Sequence, residues 1–100
     1  MKIEVTRSET GIILSLSGVL KKEEAKQVAD TITELAADKP KKLALDCTGL
    51  AAVAFDSMPI LISALERARI GKGNVRVFGC NSVVERVIRG SGFERIGTIG

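Results

Sequence analysis

Histidine, tyrosine and tryptophan are missing from this sequence, and its aromatic residues are three phenylalanines. Without histidine or tyrosine, acid–base work near neutral pH would fall to Asp, Glu, Lys or Cys. No pair of these stands at a spacing that forces them together, so catalysis is not expected. Scarce aromatics also weigh against nucleic acid, because a platform for bases needs exposed rings interleaved with cations. The 15 Lys and Arg residues are instead scattered among 12 acids. The densest basic run, Lys39-Pro40-Lys41-Lys42, reads as a solvated loop ahead of a strand. A net charge of +3 hints at an acidic partner and no more.

Cysteine is scarce as well. Cys47 and Cys80 stand 33 positions apart, with no CxxC pair and no histidine, so neither a zinc nor a haem site can be assembled in the usual way. They read as two small semi-buried thiols in a reducing compartment. Each ends a predicted strand, which could make them neighbours at one edge of a sheet. Gly71-Lys72-Gly73 lacks the spacing of a phosphate-binding loop. No cofactor and no metal are expected.

Long apolar runs are absent too. The longest, Leu50 to Phe55, is far short of the ~20 residues a membrane-spanning helix needs. Met1 leads straight into the strand-like Lys2-Ile3-Glu4-Val5 without an apolar leader, so a cytoplasmic protein without membrane insertion is expected. What remains is a globular balance of 45% hydrophobic and 27% charged residues over 100 positions, room for one domain burying roughly 60 to 65% of its unfolded surface.

Residues 2 to 7 and 12 to 20 alternate in the manner of strands, and Glu9-Thr10-Gly11 supplies a turn, which predicts an antiparallel hairpin. From 22 to 38, Ala25, Val28, Ala29, Ile32, Leu35 and Ala36 form an amphipathic helical stripe closed by Pro40. Leu43-Ala44-Leu45 is a short apolar run expected of a central strand covered on both faces. A second helix is predicted from Pro59 to about Ile70, with Leu61, Ala64, Leu65 and Ala68 buried and Gly71 as its C-terminal cap. Asn74 to Gly79 reads as a strand. Ser82 and Glu85 match a capping box for a third helix that buries Val84, Val87 and Ile88 and stops near Gly90 to Gly92. Arg95 to Ile99 reads as a short edge strand. The alternation argues an α/β fold, a mixed four- to five-stranded sheet with an N-terminal antiparallel hairpin and three crossover or flanking helices. Binding surfaces in such sheets gather where strand carboxyl ends meet helix amino ends, here Asp46 to Met58 and Gly79 to Ser82.

The segment Leu43-Ala-Leu-Asp-Cys-Thr-Gly-Leu-Ala-Ala-Val-Ala-Phe-Asp-Ser57 resembles the central signature of the STAS family, whose domains occur in anti-sigma factor antagonists and on sulphate transporters. Leu16 to Leu20 resembles the family's second strand, and Val75 to Gly79 with Ile88 to Ile96 resembles its final third. The resemblance implies a non-catalytic protein-binding module spanning residues 1–100. It also implies a partner that is either a kinase-type anti-sigma factor or the ATPase of a transporter; no nucleic-acid partner is expected from the composition, and a monomer or weak dimer is expected.

In that family the strand leads into an Asp-Ser-Ser-Gly or Asp-Ser/Thr-x-Gly turn, and a kinase partner phosphorylates the second hydroxyl. Here Asp56-Ser57 is followed by Met58 and Pro59. Methionine cannot take a phosphate, and proline deletes an N–H donor while suiting the first helical position. The plainest role for Asp56 and Ser57 is helix capping. Ser57, or Thr48, remains as a possible phosphoacceptor. The preferred expectation is a docking surface of Asp46, Thr48, Asp56, Ser57, Met58, Ile60, Ile62 and Cys80 whose phospho-switch is lost, with Met58, Ile60 and Ile62 offering apolar side chains to a partner that binds constitutively.

Overall fold

The computed structural model describes residues 1 to 100, the side chain of Lys72 excepted. Strand β1 (Lys2–Arg7) and strand β2 (Ile12–Leu20) form the antiparallel hairpin, closed by paired backbone hydrogen bonds between Ser8 and Gly11. Helix α1 (Lys22–Ala36) leads to strand β3 (Leu43–Val53), helix α2 (Met58–Ala68) to strand β4 (Val75–Phe78), and helix α3 (Ser82–Gly90) to strand β5 (Thr98–Ile99). The sheet order is β1-β2-β3-β4-β5, and every pairing after the hairpin is parallel. Gly11 is required where the hairpin turn meets β3, because a Cβ there would collide with the Lys42 carbonyl.

Three successive crossovers that all step the same way across a sheet place their helices on one face, since such crossovers are right-handed. The burial pattern agrees. Leu14, Leu16, Leu43, Leu45, Val75 and Val77 are buried with the apolar stripes of all three helices in one core. The opposite face carries the register row Thr6, Ile13, Ala44, Arg76 and Thr98, and beside it Glu4, Ser15, Asp46 and Phe78. The expectation that Leu43-Ala44-Leu45 is covered on both faces is therefore corrected. Ala44 stays half-exposed on an uncovered face, and its small size, not burial, explains the apolar run.

Helix ends differ from expectation in informative ways. At α2 the left-handed C-terminal cap is Arg69 (φ 57°), not Gly71. The turn comes two residues earlier because Ala68 and Ile70 on either side must both pack on the core. At α3 the cap is Asn81, whose carboxamide oxygen accepts from the Val84 N–H at 2.8 Å, so Ser82 is the first helical residue and the proposed capping box with Glu85 does not form. Glu85 pairs instead with Arg89 at 3.1 Å. Asn81 prevails because its amide also donates to the Leu50 carbonyl at 3.2 Å, tying the helix start to β3. The predicted terminal strand from Arg95 shortens to Thr98–Ile99, preceded by a 3-10 turn, Phe93–Arg95, that buries the Phe93 ring.

Candidate functional site: the carboxyl edge of the sheet

Strand β3 runs two residues longer than its partner β2 accommodates. The register slips between Ser15 and Ser17 and again between Gly18 and Val19, each time with an extra residue in β3. Such bulges turn side chains off the regular alternation. Between them Cys47 points into the core, while Thr48 and Gly49 are exposed.

Asp46, on the uncovered face, is the hub of this edge. Its carboxylate accepts the Thr48 hydroxyl at 2.6 Å, the Thr48 N–H at 3.0 Å and the Ser15 hydroxyl at 3.3 Å. The Thr48 bonds chiefly, with Ser15 adding to them, lower its pKa below the ordinary carboxylate value by favouring the charged form. Gly79, with φ 76°, passes close beneath this group, and a Cβ there would strike the Thr48 hydroxyl. Cys47 and Cys80 are brought together as neighbours. Burial first, and then the proximity of Cys80, push the Cys47 thiol far up; burial also raises Cys80. Both stay protonated at neutral pH, which suits structural thiols rather than nucleophiles.

The start of α2 departs most from expectation. Ser57 is completely buried, and its hydroxyl donates back to the Ala54 carbonyl at 2.5 Å, so it does not cap the helix through its side chain. Among the described residues the exposed Asp56 makes no side-chain hydrogen bond and does not cap it either. Met58 (2% exposed) and Ile62 (5%) are core residues, and only Ile60 of the three expected apolar contacts is partly accessible. Ser57, Met58 and Ile62, expected at the docking surface, are thus buried, Ser57 without any exposed surface. The cause lies upstream. A 3-10 turn, Phe55–Ser57, winds the chain tightly into α2 and rotates Ser57 and Met58 inward. Met58 there borders an apolar void of about 10 Å³ among Leu16, Leu45, Cys47 and Leu61, filling an irregular gap as a flexible thioether does.

The same turn throws Phe55 outward. Its ring is 60% exposed and lies at Gly90 of α3. Val83, 59% exposed, heads a stripe of α3 that continues through Val87 to Gly90. Sequence reasoning missed both residues. Their signals were slight: Phe55 ends the apolar run after strand alternation has stopped, and Val83-Val84 is a pair of which a helix can bury only one on its core face.

The edge, then, offers exposed apolar groups beside a hydrogen-bonded polar pair on a five-stranded, one-sided α/β sheet. Residues 3–98 match the sequence family described as "Mlab, STAS domain". The chain belongs to the STAS family. Among solved structures, this STAS domain resembles an anti-sigma factor antagonist from Mycobacterium paratuberculosis at 20% identity and a TM-score of 0.82, over 98% of this chain and 83% of the other. A structure from Thermotoga maritima assigned to the same class shares 17% identity and a TM-score of 0.79, covering 97% and 84% of the two chains. The anti-sigma factor antagonist SpoIIAA in its unphosphorylated form shares 12% identity and a TM-score of 0.76, covering 99% and 88%. No curated protein matches by sequence. Identities this low establish the fold. Among the described residues no helix is long and apolar enough to cross a membrane.

Proposed function

We propose that this STAS domain is a non-catalytic protein-binding module that docks its partner through Phe55, Val83, Ile60 and the Asp46–Thr48 pair, and that binding is constitutive. The observation that carries the reading is the inversion at the start of α2. Met58, which stands where the resemblance would put the family's phosphoacceptor, is buried, while a large aromatic ring three residues earlier stands in solvent. An exposed phenylalanine of this kind is a natural interface anchor, because its apolar area is lost from water only when a partner covers it. Asp56 and Cys80 flank the surface, the first exposed and the second half-buried. The partner favoured is a kinase-type anti-sigma factor, as in the anti-sigma factor antagonists this fold resembles. The ATPase of a transporter is the second reading, and the missing hydroxyl at Met58 favours it, since a fixed subunit needs no phospho-switch.

Affinity capture from cell extract with tagged wild type and Phe55→Asp, with partners identified by mass spectrometry, separates these readings. A kinase-type anti-sigma factor held by wild type and lost by Phe55→Asp supports the first reading. A transporter ATPase with the same loss supports the second. Equal recovery of every partner by both proteins would show that the docking surface lies elsewhere.

A further inference from the structure

Charge is unevenly distributed between the two ends of the sheet. The end opposite the docking edge is built from residues 7–11, 38–42 and 67–76, which hold eight of the fifteen Lys and Arg residues but two of the twelve acids. Eight cations against two acids make +6 there, and the seven against ten elsewhere leave −3. The wall between the hairpin turn and the turn before β4 encloses a cleft of about 290 Å³, on the uncovered face of the sheet.

Ile13 and Ala44, neighbours in the strand register, floor this cleft. Ser8 and Thr10 stand on one rim with their hydroxyls 3.1 Å apart, and Asn74 stands on the other. Lys42 and Arg76 supply its charge, and no acid among the described residues lines it. Among the described residues Lys42 and Arg76 have no carboxylate within ion-pair distance, as is true of several other surface cations, whereas Arg7 on the same end pairs with Asp38. The Arg76 guanidinium lies 5.3 Å from the centre of the Phe78 ring, just beyond the cleft on the same face, and is within reach of both.

Two uncompensated cations beside hydroxyl and amide donors, over an apolar floor, make a site for an anion with a carbon skeleton. The volume is near the lower end of small-ligand sites, roughly 300 Å³. A nucleic-acid strand would need stacking rings, and the cleft has none. We propose that the cleft binds a small phosphate monoester, with Lys42 and Arg76 on the phosphate, the Thr10 hydroxyl and the Asn74 amide donating to its oxygens, and the carbon skeleton resting on Ile13 and Ala44.

Amide chemical shifts of labelled protein, titrated separately with ribose 5-phosphate, inorganic phosphate and hexaglutamate, test this. Ribose 5-phosphate is expected to give saturable shifts at residues 8–13, 42–44 and 73–76, at lower concentration than inorganic phosphate. Lys42→Glu and Arg76→Gln should each weaken it by about tenfold or more, with the remaining spectrum unchanged, as loss of a charge-assisted contact requires. Unsaturable shifts with every anion, or undiminished affinity in both variants, would overturn the site. Equal affinity for inorganic phosphate and the ester would overturn the assignment of an organic ligand. Tighter binding of hexaglutamate at the same amides would assign the cleft to an acidic protein segment instead.

Discussion

The two faces of the sheet obey different rules although the same strands make both. On the helix-covered face, Leu14, Leu45, Val77 and Met58 interlock in a core with almost no exposed surface. On the uncovered face and its rim, Asp46, Thr48, Arg76 and Phe55 meet solvent and are held by a few hydrogen bonds or by nothing. Adjacent residues of one segment can fall on opposite sides of that divide. Phe55 and Met58 are three positions apart, one in solvent and the other in the core. The difference teaches that a tight turn can send one residue into the core and leave its near neighbour in solvent.

The sharpest way to break this contrast is to put a charge on the covered side. Met58→Asp buries a carboxylate among apolar side chains and is expected to destabilise the fold by about 3–5 kcal/mol, read as a shift of the urea midpoint. Gly79→Ala adds a Cβ at φ 76° against the Thr48 hydroxyl and should cost about 1–3 kcal/mol in the same assay. A third variant, Asn81→Ala, removes the α3 cap and its tie to β3, and a loss of about 1–2 kcal/mol is expected, with faster amide exchange in the first turn of α3.

Smaller effects belong to the uncovered face. The Asp46 carboxyl titrates lower in the folded chain than in the unfolded one, so the unfolded state binds the proton more readily. Its contribution is present above the unfolded value, about 3.9, and is lost as pH falls through the folded value. Stability measured from pH 6 downward should decline less steeply below pH ~4 in Asp46→Asn than in wild type. Smallest of all in stability is Phe55→Asp, expected within about 0.5 kcal/mol of wild type because the ring is already in water. If that variant unfolds the protein, Phe55 is a structural residue and its role in docking fails.

Much of the fold could be read from residue order alone. Strand alternation before and after Glu9-Thr10-Gly11 marked the hairpin, and the stripe from Ala25 to Leu35 marked α1, because period-2 and period-3.6 patterns record which side of an element leaves water. The order of strands and helices, with the handedness of crossovers, led to the mixed sheet. Boundaries were less legible. Asn81 and Ser82 are both good caps, and what chose between them was the Leu50 carbonyl, thirty-one residues away along the chain.

The candidate site was legible as a region and misread in detail. Asp46 and Thr48 were read as lying where the third strand ends, whereas β3 runs on past them to Val53; their hydrogen bonds to each other are local. The inward turn of Ser57 and Met58 and the outward turn of Phe55 could not be placed, because a 3-10 turn has no signature in this composition and rotates each following side chain. Sequence by itself determined the kind of elements and their order, since these are properties of residues and their periods. Only the tertiary structure decided which face stays uncovered, which of neighbouring side chains meets solvent, and which cations gather without acids, since each of these depends on where distant segments come to rest.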